Sequence, residues 1–142
     1  MRTTMSTILL RIASVVFALY TAGHSFGAMI KDPGTGGPAK QAVLGAMRAY
    51  HENVMGSSRS YWDFYKGFGW MVSCALLLLA VLCWQLSTLA RTQPSLARPL
   101  TLTLFVISIP MTVLAYTNFF AAPAIFSTVA TLLLGAAAFS LP

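Results

Sequence analysis

A chain of 142 residues that is 57% hydrophobic and only 8% charged, with positive mean hydropathy, is not composed for water; soluble domains carry about a quarter charged residues. Its net charge of +6 is spread over the ends of apolar stretches rather than gathered into a patch. That excludes the footprint of a nucleic-acid-binding domain and fits the lysines and arginines that set membrane topology.

The first apolar run, Ile12 to Ile30, follows Arg2 and Arg11. Its opening, Ile12–Leu19, has the length of a signal-peptide core. The run continues to Ile30, close to the thickness of the bilayer core, and three more hydrophobic segments follow, so an uncleaved transmembrane helix is expected over 12–30. Within it Ser14, Ala18 and Ala22 make a stripe of small residues, and Gly23 and Gly27 a GxxxG step, both suited to close helix packing.

Lys31 to Arg59 is the substantial polar segment. Asp32-Pro-Gly-Thr-Gly-Gly-Pro38 is rich in turn residues and lacks the Gly-Lys-Ser/Thr ending of a phosphate loop, so no nucleotide site is read there. From Pro38 onward, Ala39, Val43, Met47, Tyr50 and Val54 recur at helical spacing. They predict a short amphipathic helix lying on the membrane surface and ending at Gly56-Ser-Ser.

Ser60 reads as the N-cap of a second transmembrane helix over 61–89, with Asp63 the acid of a capping box. The stretch Ser60–Trp70 is dense in tyrosine and tryptophan, the composition of an interfacial belt. Cys74 and Cys83, the two cysteines, lie in the apolar run that follows, about 13 Å apart along one helix and on opposite faces, so they do not bridge within it. With no Cys-x-x-Cys, thiol–disulfide chemistry is disfavoured and both read as small packing groups. Gln93–Pro99 reads as a short connection.

From Pro99 to Pro142 there is no charge, over about twice the length of one membrane span. Two helices are expected, 99–117 and 122–141, reversing near Thr117–Pro123. Pro110 is predicted to kink the first, and Ser127, Thr131 and Gly135 to form a small-residue stripe on the second. The expected fold class is all-α, a single integral-membrane domain over 1–142: a four-helix transmembrane bundle, up-down-up-down, with a surface helix in the first loop. Arg2, Arg11, Arg91 and Arg98 then share one side with no acid. The opposite loop mixes Lys31, Lys40, Arg48, Arg59 and Lys66 with Asp32, Glu52 and Asp63. Short loops weigh more in orientation, so both termini are expected in the cytoplasm.

On this topology the candidate site residues collect at the outer end. His24 stands out, because an ionisable side chain inside an apolar helix marks function by default; a neutral imidazole bonded to a neighbouring helix is the competing role. Asp63 and Lys66 complete the catalytic candidates, against the plainer roles of helix cap and snorkelling anchor. A ring-lined ligand wall would draw on Tyr20, His24, Tyr61, Trp62, Tyr65, Trp70, Tyr116 and Asn118. The histidines, cysteines and acids show no metal-ligand spacing, and no cofactor is expected. The expected partners are membrane lipid, a second copy of the chain or a larger membrane complex, with no nucleic acid. Two functional classes lead, with a transporter or redox-cofactor protein a third that no broken-helix repeat or ligand set supports. One is a non-enzymatic membrane component or accessory subunit. The other is a binder or acid–base enzyme in which His24 and Asp63 act on a lipid or isoprenoid-like ligand at the outer mouth of the bundle.

Gly23-His24 in the first helix and Ser60-x-Trp-Asp-x-x-x-Gly-Phe68 opening the second resemble a family of small four-helix bacterial membrane proteins without an assigned activity. The general plan is similar to that of DoxX-type proteins, and more distantly to the sterol-isomerase-like emopamil-binding family. The resemblance implies architecture and a bacterial inner-membrane location rather than catalysis. The emopamil-binding bundles enclose a cavity with acidic residues, whereas here Asp63 is the one acid within an expected transmembrane helix.

Overall fold

The structure, a computed structural model, describes residues 4–30 and 36–142. Helix α1 spans Met5–His24 and continues as a π-helix over Ser25–Ile30. Helix α2 spans Pro38–Ala49, and strands β1 (His51–Val54) and β2 (Ser57–Ser60) form an antiparallel hairpin. Three long helices follow: α3 (Tyr61–Thr92), α4 (Pro94–Asn118) and α5 (Ala121–Phe139). The chain is dominated by helix, as expected. Among the described residues four helices are long and apolar enough to cross a membrane: Met5–Ile30, Tyr61–Thr92, Pro94–Asn118 and Ala121–Phe139.

The first three membrane-length helices overrun the expected spans, mostly at their polar ends, whereas α5 ends at Phe139, short of the expected 141. The first begins at Met5 rather than Ile12, because Arg11 does not break a helix and its guanidinium lies 5.2 Å from the Trp84 ring centre. The connection expected at Gln93–Pro99 is helical from Pro94: proline is favoured in a first turn, where its missing N–H would have no partner anyway. Pro99 and Pro110 both lie inside α4, which runs unbroken to Asn118. The turn-rich Asp32–Pro38 segment falls mostly outside the described residues.

One expectation fails locally. The amphipathic helix stops at Ala49, and Tyr50 and Val54, which seemed to extend its apolar stripe, belong to its C-cap and to β1. Met55 and Gly56 have φ of 53° and 83°, the left-handed pair that a two-residue hairpin turn needs to match strand twist. Gly56 adopts it freely; Met55 does so at a cost, with its side chain wholly exposed at the tip. Pairing His51 with Ser60 and Glu52 with Arg59 gives the backbone groups of this segment partners in a strand ladder instead of a helix.

Contacts divide the chain into two compact units. The first comprises Met1–Thr21 and Leu76–Pro142, the second Ala22–Ala75. In the first, α1, α3, α4 and α5 all supply the core, with Leu10, Ala13, Phe17, Cys83, Ala97 and Leu134 among its buried members. Ser14 on α1 donates to the Ala80 carbonyl at 2.7 Å, a bond that only a small residue at a close crossing permits. Helices α4 and α5 form a tight hairpin about Phe119 and Phe120. The Thr112 and Thr131 hydroxyls meet at 2.9 Å, and the Phe105 ring lies over Gly135, where an added Cβ would sit 2.8 Å from Cε2. The stripe Ser127–Thr131–Gly135 thus contributes two of its three residues to this contact.

Small hydroxyl residues join the apolar core, while large aliphatic side chains also cover the outside of the helices. Ser6, Thr7, Ser14, Ser87, Thr101 and Ser108 are buried, whereas Ile8, Ile12, Leu19, Leu78, Val106 and Leu132 are exposed. Most of the buried hydroxyls return a hydrogen bond to a helix carbonyl, such as Thr101 to Ala97 at 2.8 Å, so they remain satisfied without water.

Candidate functional site

The second unit holds most of the polar candidates. Its organising element is the first half of α3, where Lys66, Gly69 and Ser73 recur at helical spacing on one face. That face meets the end of α1. Ser73, 5% exposed, accepts a hydrogen bond from Ser25 at 2.9 Å and lies 3.0 Å from His24 Nδ1. Ser73 Oγ, with one proton and two lone pairs, can accept from Ser25 and still either donate to or accept from Nδ1, according to the imidazole tautomer. Lys66 donates to the Met29 carbonyl, one of the C-terminal carbonyls that a helix leaves without an internal partner and that favours a nearby cation. Gly69 leaves room for the buried Met29 side chain, whose sulfur a Cβ built there would overlap. The π-helical turn widens the backbone where these contacts converge, a deformation often found at functional positions.

Asp63 is used differently. Its Oδ2 accepts from Ser60 N and Ser60 Oγ, both at 2.9 Å, and its own N–H donates to Ser60 Oγ at 3.2 Å. This is the capping box expected from the sequence, with Asp in the place of the usual Glu. It opens α3 directly out of the hairpin, because Ser60 is also the last residue of β2.

Around this box the aromatic belt is tied together. Tyr61 stacks on Tyr50 at 5.2 Å, and Trp62 stacks on Tyr65 at 5.3 Å. The Arg48 guanidinium of α2 lies 4.9 Å from the Trp62 ring centre. The Lys66 ammonium lies 6.0 Å from the Trp62 ring and 5.7 Å from Trp70, so one lysine is held between two indoles a turn away on either side.

The remaining candidates belong to the first unit. Tyr20 stacks on Phe126 at 5.2 Å and, with Phe17, Ser108 and Thr131, lines a cavity of about 30 Å³. That volume holds about one water. The Tyr116 hydroxyl accepts from Thr128 at 3.2 Å, and the Asn118 amide donates to the Leu114 carbonyl at 3.1 Å, closing the end of α4. Tyr116 also borders an open depression of about 290 Å³ at the α4–α5 reversal, with Phe119, Phe120 and Ile125.

The structure therefore gathers Trp62, Lys66 and Trp70 on one face, links His24 to α3 through Ser73, and turns Asp63 toward Ser60. The sequence pointed to neither Ser73 nor Ser25, although Ser73 falls one heptad from Lys66. It also did not pair Arg48 with Trp62, because that contact depends on the hairpin. Among the described residues no three His, Cys, Asp or Glu side chains come close enough to hold a metal. Compared with known protein families, curated proteins and solved structures, the chain matches none.

Proposed function

We propose that the chain is a multi-pass protein of the bacterial inner membrane, crossing four times with both termini in the cytoplasm, and that it serves as a non-enzymatic membrane component or accessory subunit. The observation that carries this reading is the exposure of large aliphatic side chains along four membrane-length helices, with small hydroxyls joining the core. Exposed Leu, Ile and Val over four long helices suit hydrocarbon, and small hydroxyl residues at crossings provide the packing and hydrogen bonds that hold helices together there. The likeness to small four-helix bacterial membrane proteins fits the same architecture.

The non-enzymatic role is favoured over lipid acid–base chemistry by how the ionisable groups are used. His24 Nδ1 meets Ser73, Asp63 accepts twice from Ser60, and Lys66 caps Met29. Each has a structural partner, and a general acid or base needs reach to a substrate proton.

Two measurements test the proposal. Reporter fusions at the C-terminus and at Gly36 should report opposite sides of the membrane, with the C-terminus cytoplasmic; a periplasmic C-terminus overturns the orientation. In a strain lacking the protein, a His24→Gln, Asp63→Asn chain expressed at normal abundance should complement fully. Failure to complement at normal abundance and thermal stability would favour acid–base chemistry at these residues.

A further inference from the structure

Arg48 and Lys66 approach the same indole, Trp62, from different helices, and Lys66 also faces Trp70. The two cations share one neutral ring, which carries no net charge to offset theirs. Among the described residues no carboxylate serves them. Asp63 is turned to Ser60, and Glu52 stands opposite Arg59 in the hairpin. Arg48 is exposed, while Lys66 and Trp62 are half-buried, so the cluster is open on one side.

We propose that Arg48, Trp62, Lys66 and Trp70 form a binding site for the phosphate of an anionic lipid headgroup, a site that rests on the membrane insertion proposed above. Its position fits that occupant. Lys66 lies five residues into a long apolar helix, and Trp62 and Trp70 bracket it with amphipathic rings of the kind that settle at headgroup depth. Arg48 offers a planar fork for two phosphate oxygens, and Lys66 a compact charge with donors beyond the one spent on Met29. The apolar faces of Tyr65 and Trp70, both exposed, are placed to receive the upper acyl chain. No bond is made or broken; the site holds a lipid and, through Arg48, fixes the end of α2 to α3.

The test uses the full-length protein in a Trp84→Phe background, so that Trp62 and Trp70 alone report. The protein is reconstituted into phosphatidylcholine vesicles doped with either brominated phosphatidylglycerol or brominated phosphatidylcholine, and quenching of tryptophan fluorescence is followed. Phosphatidylglycerol should quench at about a tenfold lower mole fraction, and Arg48→Gln or Lys66→Gln should each reduce that preference about fivefold, the weight of one basic residue at an anionic surface. Arg48→Lys and Lys66→Arg should retain most of it. Because Lys66→Gln also removes the cap on Met29, Arg48→Gln keeps the test decisive if that variant misfolds. Equal quenching by the two lipids, or a preference unchanged in Arg48→Gln, overturns the site. So does inorganic phosphate that abolishes the preference at matched ionic strength, since the site would then take free phosphate. Flotation is read first: a chain that does not float with the vesicles overturns the membrane reading and the site with it, whereas one that floats without preference overturns the site alone.

Discussion

His24 Nδ1 and Ser73 Oγ lie 3.0 Å apart although 49 residues separate them in the chain, and Ser25 reinforces the junction from the next position on α1. If this junction is structural, His24→Ala and Ser73→Ala should each lower stability by about 0.6–1.7 kcal/mol, the range of hydrogen bonds between membrane helices. The double variant should lose less than the sum, because both changes break one interaction. Thermal unfolding in detergent measures all three; strict additivity would mean that the two side chains do not interact.

Glycine substitutions separate tight crossings from open faces. Gly135→Ala drives a methyl into the Phe105 ring and should cost about 1–3 kcal/mol, recovered in part by Phe105→Leu. Gly23→Ala and Gly27→Ala meet nothing within 4 Å and should leave the unfolding temperature of the monomer unchanged or slightly raised, since alanine is the better helix former. Cross-linking of the same two variants reads a second quantity. A lost dimer band would assign the GxxxG step to self-association, and an unchanged pattern would place any partner elsewhere.

At the start of α3, Asp63→Ala should lower the unfolding temperature, because Ser60 N and Oγ lose their acceptor. Asp63→Asn should cost much less, since an amide oxygen can take the same two bonds. An Asp63→Asn chain as unstable as Asp63→Ala would show that the negative charge at the helix N-terminus, rather than the hydrogen bonds, supplies the stabilisation.

The hairpin tip carries a residue poorly suited to its backbone. Met55→Asn should stabilise by up to about 1 kcal/mol, as asparagine tolerates positive φ, and Gly56→Val should destabilise by more than that. If Met55→Asn instead weakens the protein's retention by vesicles while stabilising it in detergent, the exposed methionine is serving the membrane surface.

How much could be read in advance depends on the range of the interaction. The capping box was legible because Ser60 and Asp63 are three residues apart and the pattern carries its own geometry. The four apolar helices were legible from uninterrupted hydropathy, and Gly135 from its place in a small-residue stripe. The hairpin was not: Tyr50 and Val54 fit a helical period by coincidence, and that outweighed a single glycine at position 56. His24 was visible as costly in an apolar helix, but its partner was not, since one serine among many on α3 carries no mark of the face it will occupy. The Arg48–Trp62 contact was hidden for a compound reason, because it requires the chain to turn back at Met55 before the two can meet.

Ser60 has three duties at one position: it ends β2, caps α3 and is buried itself. No spacer therefore separates the hairpin from the helix, and the two must move as one rigid lever. A tag inserted between Met55 and Gly56 should be tolerated, because the tip has nothing behind it. The same tag placed after Ser60 would sever strand, cap and helix together. Any ligand or neighbouring protein that pulls on the hairpin in the cell would transmit that pull straight to the axis of α3, with no slack to absorb it.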